Sequence, residues 1–349
     1  MVKSIHHTAM EAPFQRRSTI AQVAELAGVS VGTVSNVLNG KGRFSETTRR
    51  RVLWAASELH FVPNALIRSL QSGKTNTVGV FTWRLHLGGR RNVSLDLLRG
   101  ISRGLSEGSL DALLYSRHPH EGEVEPSFFM DGRVDGIILA PGGLSKEGVA
   151  ALAEAGVRAV LLYQTYVPEP LAAVTIDNSS GVAAAVQKLI QLGHRRIAFI
   201  SPLYSDDFRE RYETFRSTLE ANGITADRRL AATDVPDHGE ELDQAVLNLI
   251  RRADPPTGII AGNDGIALRV LEVLRSAGVH VPADISVIGF DDSPEAQALR
   301  LSTVRQPAEE VGYQAARLLC AMLRGERLSS RRVHLPVQFV DRETTAPVG

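Results

Sequence analysis

The side chains with the clearest chemistry in this sequence lie between residues 19 and 39. Apolar residues there recur at helical spacing on both sides of Gly28, which predicts two short helices joined by a turn. The outward face of the second helix is then free to enter the major groove of DNA. The amide of Asn36 can make two hydrogen bonds to adenine, and Val31 can touch a thymine methyl group. The spacing therefore predicts a helix-turn-helix, and a helical pair used only for packing is the alternative.

Carboxylates elsewhere in the chain do not form a catalytic arrangement. Asp206-Asp207, Asp264 and Asp291-Asp292 lack a paired acid or base at a workable spacing, and they lack a set of histidine ligands for a metal. Gly142-Gly143 is too sparse for a phosphate-binding loop. We therefore expect no enzyme activity, no metal and no cofactor.

Three short helices must position the side chains of the first segment, and a capping hydroxyl precedes each of them. The hydroxyls belong to Thr19, Ser30 and Ser45. The predicted helices are Ile20–Ala27, Val31–Leu38 and Glu46–Leu59. Pro63 ends this pattern, and the segment Asn64–Leu70 has room for barely two helical turns.

From residue 77 onward, apolar runs of strand length alternate with helical stretches. This alternation predicts parallel sheets with right-handed crossovers. Residues 77–349 are too many for one doubly wound sheet, so we predict two lobes with a cleft between them. The predicted strands are Val78–Phe81, Ala112–Tyr115, Val134–Leu139, Ala159–Tyr163, Ile197–Ile200, Gly258–Ala261 and Ile285–Phe290.

Charge is distributed unevenly along the chain. Lys plus Arg and Asp plus Glu both number 39 over the 349 residues. Residues 1–75 hold ten basic and four acidic side chains, which leaves 29 basic and 35 acidic for residues 76–349. A basic segment joined to an acidic body is typical of a module that meets a polyanion.

The composition also limits what the cysteine can do and where in the cell the protein is expected. The single cysteine, Cys320, excludes a disulfide framework and a thiolate zinc cluster, and its apolar surroundings predict a buried thiol. No apolar stretch approaches the length of a membrane span. Residues 1–17 contain no apolar block like that of a signal peptide. We therefore expect a cytoplasmic protein that does not contact a membrane and that begins with a flexible arm.

The helix-turn-helix segment is the first of several stretches that resemble one family. The others are Arg43–Ser45, Trp54–Leu59, Asn64–Leu70, Val134–Leu139, Leu192–Ile200, Asn263-Asp264, Ala283–Asp292 and Arg342–Thr345. Together and in this order they resemble the lac repressor (LacI/GalR) family of bacterial transcriptional regulators. The resemblance covers nearly the whole chain beyond residue 18.

This resemblance implies an N-terminal all-α helix-turn-helix headpiece with a hinge helix, followed by an α/β core of two parallel-sheet lobes like that of periplasmic binding proteins. The implied segments are a flexible arm at 1–18, the helix-turn-helix DNA-binding domain at 19–62, the hinge helix and linker at 63–76, and a two-lobed ligand-binding and dimerisation domain at 77–349. Within that domain the N-lobe is expected at about 77–176 and 307–331, and the C-lobe at about 177–306 and 332–349.

The resemblance further implies a homodimer whose paired headpieces bind a pseudo-palindromic operator in double-stranded DNA. Val31, Gly32 and Asn36 occupy the base-reading positions, and Gly32 has no side chain to read with. A phosphate contact is the alternative for Asn36. Phosphate contacts are expected of a group of polar residues in the same segment. These are Thr19, Ser30, Thr33, Ser35 and Asn39.

The segment that starts at Asn64 is similar to the family's hinge helix, which lies in the central minor groove. Leu70 has the position of the side chain that wedges between base pairs, and Arg68 has a backbone-facing position. Packing of Leu70 on its own domain is the alternative. Because seven residues do not hold a helix alone in water, we expect this segment to be disordered without DNA and to fold on the operator.

The two-lobed body implies a small-molecule effector in the cleft. Arg211, Asn263 and Asp291 lie where the family holds its effector. An arginine fork, an amide and a carboxylate that accepts from two hydroxyls suit a polyhydroxylated molecule, and the expected effector is a sugar or a sugar derivative. The protein is then a ligand-responsive regulator, and in this family such a regulator is more often a repressor.

Residues 82–93 depart from the family pattern, and several interpretations stay open. Trp83 either stacks on a sugar face or caps the sheet. The basic side chains of Arg84, Arg90 and Arg91 indicate either an acidic ligand or a solvated loop. Two alternative functions also remain, a solute-binding receptor that kept only the cleft and a regulator whose cleft answers to a protein partner.

Overall fold

The computed structural model describes residues 18–82, 93–116, 125–140 and 145–348 of the chain. The chain divides between Thr75 and Asn76 into two compact units, which we call the headpiece and the body. Trp83 lies outside the described residues, as do three arginines of the same segment and the arm apart from its last residue, Ser18. The Ser18 hydroxyl donates to the carbonyl of Leu59 at 2.6 Å, so this last residue of the predicted arm is attached to the helical segment that follows it.

Four helices build the headpiece, and a small apolar core that includes Val23, Val34 and Val52 holds the first three together. They are α1 (Ile20–Ala27), α2 (Val31–Leu38), α3 (Glu46–Glu58) and α4 (Ala65–Ser72). The bounds of α1 and α2 are those that the capping hydroxyls predict, and α3 ends one residue earlier than predicted. The hydroxyl of Ser30 accepts a hydrogen bond from the Thr33 amide at 3.1 Å, as expected of an N-cap.

Two six-stranded sheets form the body. The strands of the first are β1 (Thr77–Thr82), β2 (Asp111–Leu114), β3 (Gly136–Ala140), β4 (Ala159–Leu162), β5 (Ala172–Ile176) and β11 (Arg332–Leu335). Their order is β11-β5-β4-β3-β1-β2, and every pair is parallel.

The strands of the second sheet are β6 (Ile197–Ile200), β7 (Ala231–Ala232), β8 (Gly258–Ala261), β9 (Ser286–Asp291), β10 (Ser302–Arg305) and β12 (Gln338–Val340). Their order is β12-β10-β9-β8-β6-β7, with only β12 antiparallel to its neighbour among the described strands.

Helices cover both sheets of the body. They are α5 (Val93–Glu107), α6 (Lys146–Glu154), α7 (Asn178–Gln191), α8 (Asp206–Ala221), α9 (Glu240–Ile250), α10 (Asp264–Ser276), α11 (Pro294–Ala298) and α12 (Ala308–Leu323). Glycine lets α5 and α12 pack closely, because a Cβ atom on Gly100 would lie 1.8 Å from the carbonyl oxygen of Glu309. Cys320 on α12 is buried, as predicted. Within the described part of the chain, no helix has both the length and the apolar character needed to cross a membrane.

The chain crosses between the sheets three times, and the last crossing corrects one expected lobe boundary. Residues 332–349 were expected in the C-lobe, but β11 pairs with β5 in the first sheet. The chain therefore returns to the second sheet only after Leu335. Both β11 and β12 were missed because their exposed and half-buried residues alternate, so they lack the continuous apolar run of an interior strand.

Candidate functional site

The outward face of α2 carries the residues proposed to read bases. Val31 is 45% exposed, and Gly32 and Asn36 beside it are also exposed. A Cβ atom on Gly32 would come no closer than 3.8 Å to any side chain, so a larger residue would fit there. The face therefore offers one amide and one apolar side chain, with open space between them.

The polar residues proposed as phosphate contacts have structural partners within the headpiece. The hydroxyl of Thr19 accepts from the Gln22 amide at 3.4 Å, and the Gln22 side chain accepts from the Thr19 amide at 2.8 Å, which closes a capping box. The side-chain amide of Asn39 donates to the hydroxyl of Ser35 at 3.4 Å. These groups can still contact a phosphate, because hydroxyl and amide groups make more than one hydrogen bond.

Arg51 holds the turn of the helix-turn-helix, a role that the sequence analysis missed. Its guanidinium Nε donates to the carbonyl of Ala27 at 3.0 Å and its Nη2 to the carbonyl of Gly28 at 3.0 Å. Gly28 has φ +62°, and a Cβ atom there would lie 2.8 Å from Nη2. No local pattern in the sequence reveals this contact, because α3 brings Arg51 to the turn from 23 residues away.

The helix α4 presents an apolar side chain to solvent. Leu70 is 86% exposed and Ile67 is 54% exposed, and Arg68 is exposed beside them. The alternative in which Leu70 packs on its own domain does not fit this exposure. Asn64 comes directly before α4, and its carbonyl accepts from the Arg68 amide at 3.1 Å.

The structure buries Arg211 between the ends of strands in the second sheet. Its side chain is 3% exposed, and its guanidinium carbon lies 3.6 Å from the centre of the Phe290 ring. The guanidinium donates to the side-chain oxygen of Asn178 at 2.8 Å and to the carbonyl of Gly262 at 2.6 Å, and it pairs with Asp207 at 3.4 Å. Most of the Arg211 N–H groups that were expected to bind an effector therefore already contact other groups of the protein.

Asn263 follows β8 and caps α10. Its side-chain oxygen accepts from the amide of Ile266 at 2.8 Å. The carbonyl of the preceding residue, Gly262, is the one that Arg211 contacts, so the two predicted effector residues are neighbours. The side-chain nitrogen of Asn263 is the group that a ligand could use.

Asp291 ends β9 and Asp292 follows it, and only Asp291 has the environment of a ligand-binding group. Asp292 accepts from Arg305 at 2.6 Å and from Arg342 at 2.5 Å, so it is a structural anchor. Asp291 accepts from the side-chain nitrogen of Gln306 at 2.6 Å. Burial and the nearby Asp264 raise the pKa of Asp291 to about 8, although Arg211 opposes this. A carboxyl group with that pKa can donate as well as accept at neutral pH, whereas the sequence analysis expected an acceptor only.

Two further residues of this site were missed by the sequence analysis. Tyr163 follows β4, and neither its buried hydroxyl nor the side-chain oxygen of Gln306 has a hydrogen-bond partner among the described residues. Tyr163 packs in the same buried apolar cluster as Phe290 of the second sheet. Burial and the carboxylates of Asp291 and Asp207 raise the pKa of its hydroxyl. Because a buried polar group without a partner is costly, both atoms suit contacts to a ligand. The position of Tyr163 at the end of a predicted strand was a signal that could have found it.

The resulting interlobe site comprises Arg211, Asn263, Asp291, Tyr163 and Gln306. It contains two amides, one carboxyl, one phenol and one guanidinium that already has partners within the protein. Within the described residues, no group of three or more His, Cys, Asp or Glu side chains is arranged to hold a metal ion. The arrangement can bind a molecule with several hydroxyl groups, and it does not offer a nucleophile with a paired base.

Comparison with known proteins finds a family model in each unit and relatives that span both. Residues 19–64 match bacterial regulatory proteins of the lacI family, and residues 186–345 match the periplasmic binding protein-like domain. The chain is 34% identical over 343 residues to the HTH-type transcriptional regulator CelR of Thermobifida fusca, which covers 95% of this chain and 99% of that protein. A solved complex of CelR with cellobiose is 33% identical, with a TM-score of 0.69 over 94% of this chain and all of that one.

The likeness extends to a structure that contains DNA. The lac repressor dimer bound to its operator and the anti-inducer ONPF is 26% identical to this chain, with a TM-score of 0.82 over 95% of this chain and all of that one. These relatives are regulators rather than enzymes, as expected. The chain belongs to the lacI family of bacterial regulatory proteins and is a DNA-binding transcriptional regulator.

Proposed function

We propose that this regulator is a sugar-responsive repressor that acts in the cytoplasm and binds a pseudo-palindromic operator as a homodimer. The observation that carries this proposal is the exposed face of α2, since Val31 and Asn36 project from a helix whose start and turn are both held in place. Operator DNA as the partner supports the cytoplasm as the location. The effector is proposed to bind in the interlobe site and to shift DNA affinity by changing the relation of the two lobes.

A selection from random DNA duplexes tests the proposed DNA recognition. The purified, ligand-free protein is used at moderate salt, because phosphate binding without sequence preference dominates at low salt. A palindrome is the expected product, and it would mean that a ligand acts most simply as an inducer. Failure to enrich any site would contradict autonomous recognition and would favour a headpiece that needs a corepressor.

Two headpiece variants separate base reading from phosphate contact. Asn36→Ala is expected to cost about 1–3 kcal/mol of discrimination at one base pair of each half-site, because the bidentate amide contact is lost. Arg68→Ala is expected to weaken binding to all DNA sequences alike. It should also reduce the slope of log affinity against log salt concentration by about one. Selections with each variant measure both effects. An unchanged preferred sequence for Asn36→Ala would favour the alternative phosphate contact.

The hinge proposal concerns the order of α4 in the free protein. Because this short helix exposes Leu70 and Ile67 to solvent, we expect it to open readily without DNA and to be stabilised in the minor groove. Hydrogen exchange of the amides in Ala65–Leu70 should slow by about tenfold or more on the operator. Equal protection with and without DNA would contradict coupled folding.

The proposed effector is a neutral sugar or a sugar derivative. The interlobe site supports this because its buried phenol and amide oxygen lack partners among the residues that the structure describes, and because the similar CelR forms a complex with cellobiose. A calorimetric screen of sugars and sugar phosphates is the test. Heat with one class would identify it, whereas no heat with any member would favour the alternative in which the cleft answers to a protein partner.

The proposed dimer has a candidate contact on the C-lobe. Leu299 is 61% exposed beside a depression of about 560 Å³ that Leu268 and Leu271 of α10 help to line. We expect Leu299→Asp to raise the dimer dissociation constant by about 30-fold or more, because a carboxylate would be buried in an apolar contact. Sedimentation over a concentration series measures this, with Val348→Asp as the control at another exposed apolar position. An unchanged dissociation constant would exclude this patch from the interface.

A further inference from the structure

A second cavity lies at the opposite edge of the C-lobe sheet from the interlobe site. Its volume is about 680 Å³, and it is lined by the segments that directly precede β6, β7 and β8. These strands are parallel, so their amino ends share one edge. Asn263 and Asp291 instead lie at the carboxyl ends of β8 and β9. The two sites are therefore separated by the length of the sheet.

Arginine dominates the lining of this cavity. Five arginines face two aspartates there, which leaves a local charge of +3 although residues 76–349 hold 29 basic and 35 acidic side chains. The arginines are Arg195, Arg196, Arg228, Arg229 and Arg252, and the aspartates are Asp227 and Asp254. Such a local excess in an acidic body attracts anions.

Three of these guanidinium groups are fixed by the protein itself. Arg195 donates to the carbonyl of Ile190 at 3.1 Å, and Arg196 donates to that of Pro255 at 2.9 Å. Arg229 pairs with Asp227 at 2.8 Å. These contacts hold the rim in place, and the Nη groups of Arg196 are not used in its contact with Pro255.

The other two arginines lack such partners. Among the described residues, the side chains of Arg228 and Arg252 have no hydrogen bond or ion pair within contact distance, and Arg252 is half-buried. Asp227 is close enough to Arg252 for the guanidinium to help lower the pKa of that carboxyl, after the larger effect of Arg229. Because Asp227 is already paired with Arg229, its charge does not balance Arg252 as well.

Balancing the negative ends of helices does not account for both unpaired arginines. α7 and α9 end near this edge, and Arg195 donates to a carbonyl at the end of α7. Arg251 already stands at the end of α9 and does not line the cavity. Arg228 belongs to the short turn Arg228–Leu230 before β7, where there is no long helix to balance.

We propose that this cavity binds a small polyanion through a diphosphate group. Guanidinium groups match phosphate oxygens in pairs, and unpaired arginines bind them without first breaking an internal ion pair. A volume of about 680 Å³ lies within the range of small-molecule sites. The shared chemistry is the diphosphate, whether it comes as inorganic pyrophosphate or on a nucleoside.

Isothermal titration of the full chain tests this site with sodium pyrophosphate, ADP and orthophosphate at 150 mM salt. We expect one pyrophosphate per chain, with orthophosphate at least about tenfold weaker. The double variant Arg228→Ala/Arg252→Ala should weaken pyrophosphate by about tenfold or more, whereas Arg251→Ala should change it by less than about twofold. Thermal unfolding of each variant shows that the body remains folded.

Each outcome decides the proposal. Absence of heat with both pyrophosphate and ADP would overturn it. Pyrophosphate binding that survives the double variant would place the anion in the headpiece or the interlobe site. Equal weakening by Arg251→Ala would show only a general positive field. Either result overturns the proposal. If ADP binds more tightly than pyrophosphate, the site is supported and its ligand is a nucleoside diphosphate. If the two affinities are equal, the site is supported and it recognises the phosphates alone.

Discussion

Replacing Arg211 with methionine is expected to destabilise the body by about 3–5 kcal/mol, because the removed guanidinium is the partner of several buried acceptors. Asn178 and Gly262 would each lose a hydrogen-bond donor, and Asp207 would lose its counter-ion. The cation over the ring of Phe290 would also be lost. Urea unfolding followed by circular dichroism measures the change in the free energy of unfolding.

Arg216→Met is the matched control for Arg211→Met. It removes the same charge from the same helix, but Arg216 pairs with two exposed carboxylates, that of Glu213 at 3.3 Å and that of Glu220 at 3.8 Å. Exposed pairs contribute less than about 1 kcal/mol, so the control should change the free energy of unfolding by no more than that. A loss of less than about 1 kcal/mol for Arg211→Met would contradict the structural role assigned to this guanidinium.

The contrast between these arginines shows what the sequence could predict of the site and what it could not. The residue types of Arg211, Asn263 and Asp291, and their positions at the ends of strands or starts of helices, indicate a polar ligand, and the structure brings all three together. The sequence does not reveal that Arg211 already has three partners within the protein, because Asn178 and Gly262 arrive from other elements. How much of a side chain's bonding capacity is left for a ligand depends on tertiary contacts.

As with the site, the sequence predicts the local features of the fold better than its long-range contacts. Hydroxyl caps and helical spacing defined the start of α1 and α2, since these signals lie within a few residues of the helix. Six of the eight interior strands of the two described sheets were predictable from apolar runs, whereas the interior strands β5 and β10 were missed and β11 was assigned to the wrong lobe. Edge strands bury one face only and take their place from pairing with a distant segment, here β5, which periodicity does not encode.

The second large effect concerns the pH dependence of stability. Burial and Asp264 raise the pKa of Asp291 to about 8 in the folded protein, against about 3.9 for an aspartate in an unfolded chain. Between these values the folded state holds a proton that the unfolded state has released. The stability that Asp291 contributes is therefore complete below about pH 4 and is lost as the pH rises through 8.

Asp291→Asn removes this titration. We therefore expect the free energy of unfolding of the variant, relative to that of the native chain, to rise by up to about 1.4 kcal/mol per pH unit between pH 5 and 8. The difference should level off above pH 8. Urea unfolding of both proteins at each pH gives the difference in the free energy of unfolding.

Asp206→Asn provides a control with the opposite sign. Burial acts against it, but hydrogen bonds from Thr165 and Arg209 lower the pKa of Asp206 below its usual value. Its contribution to stability is therefore present above the unfolded pKa and is lost only as the pH falls through the lower folded value. The difference between Asp206→Asn and the native chain should be constant from pH 5 to 8. Parallel pH profiles for Asp291→Asn and the native chain would show that Asp291 is ionised in the fold, and its carboxylate would then act on the effector as an acceptor alone.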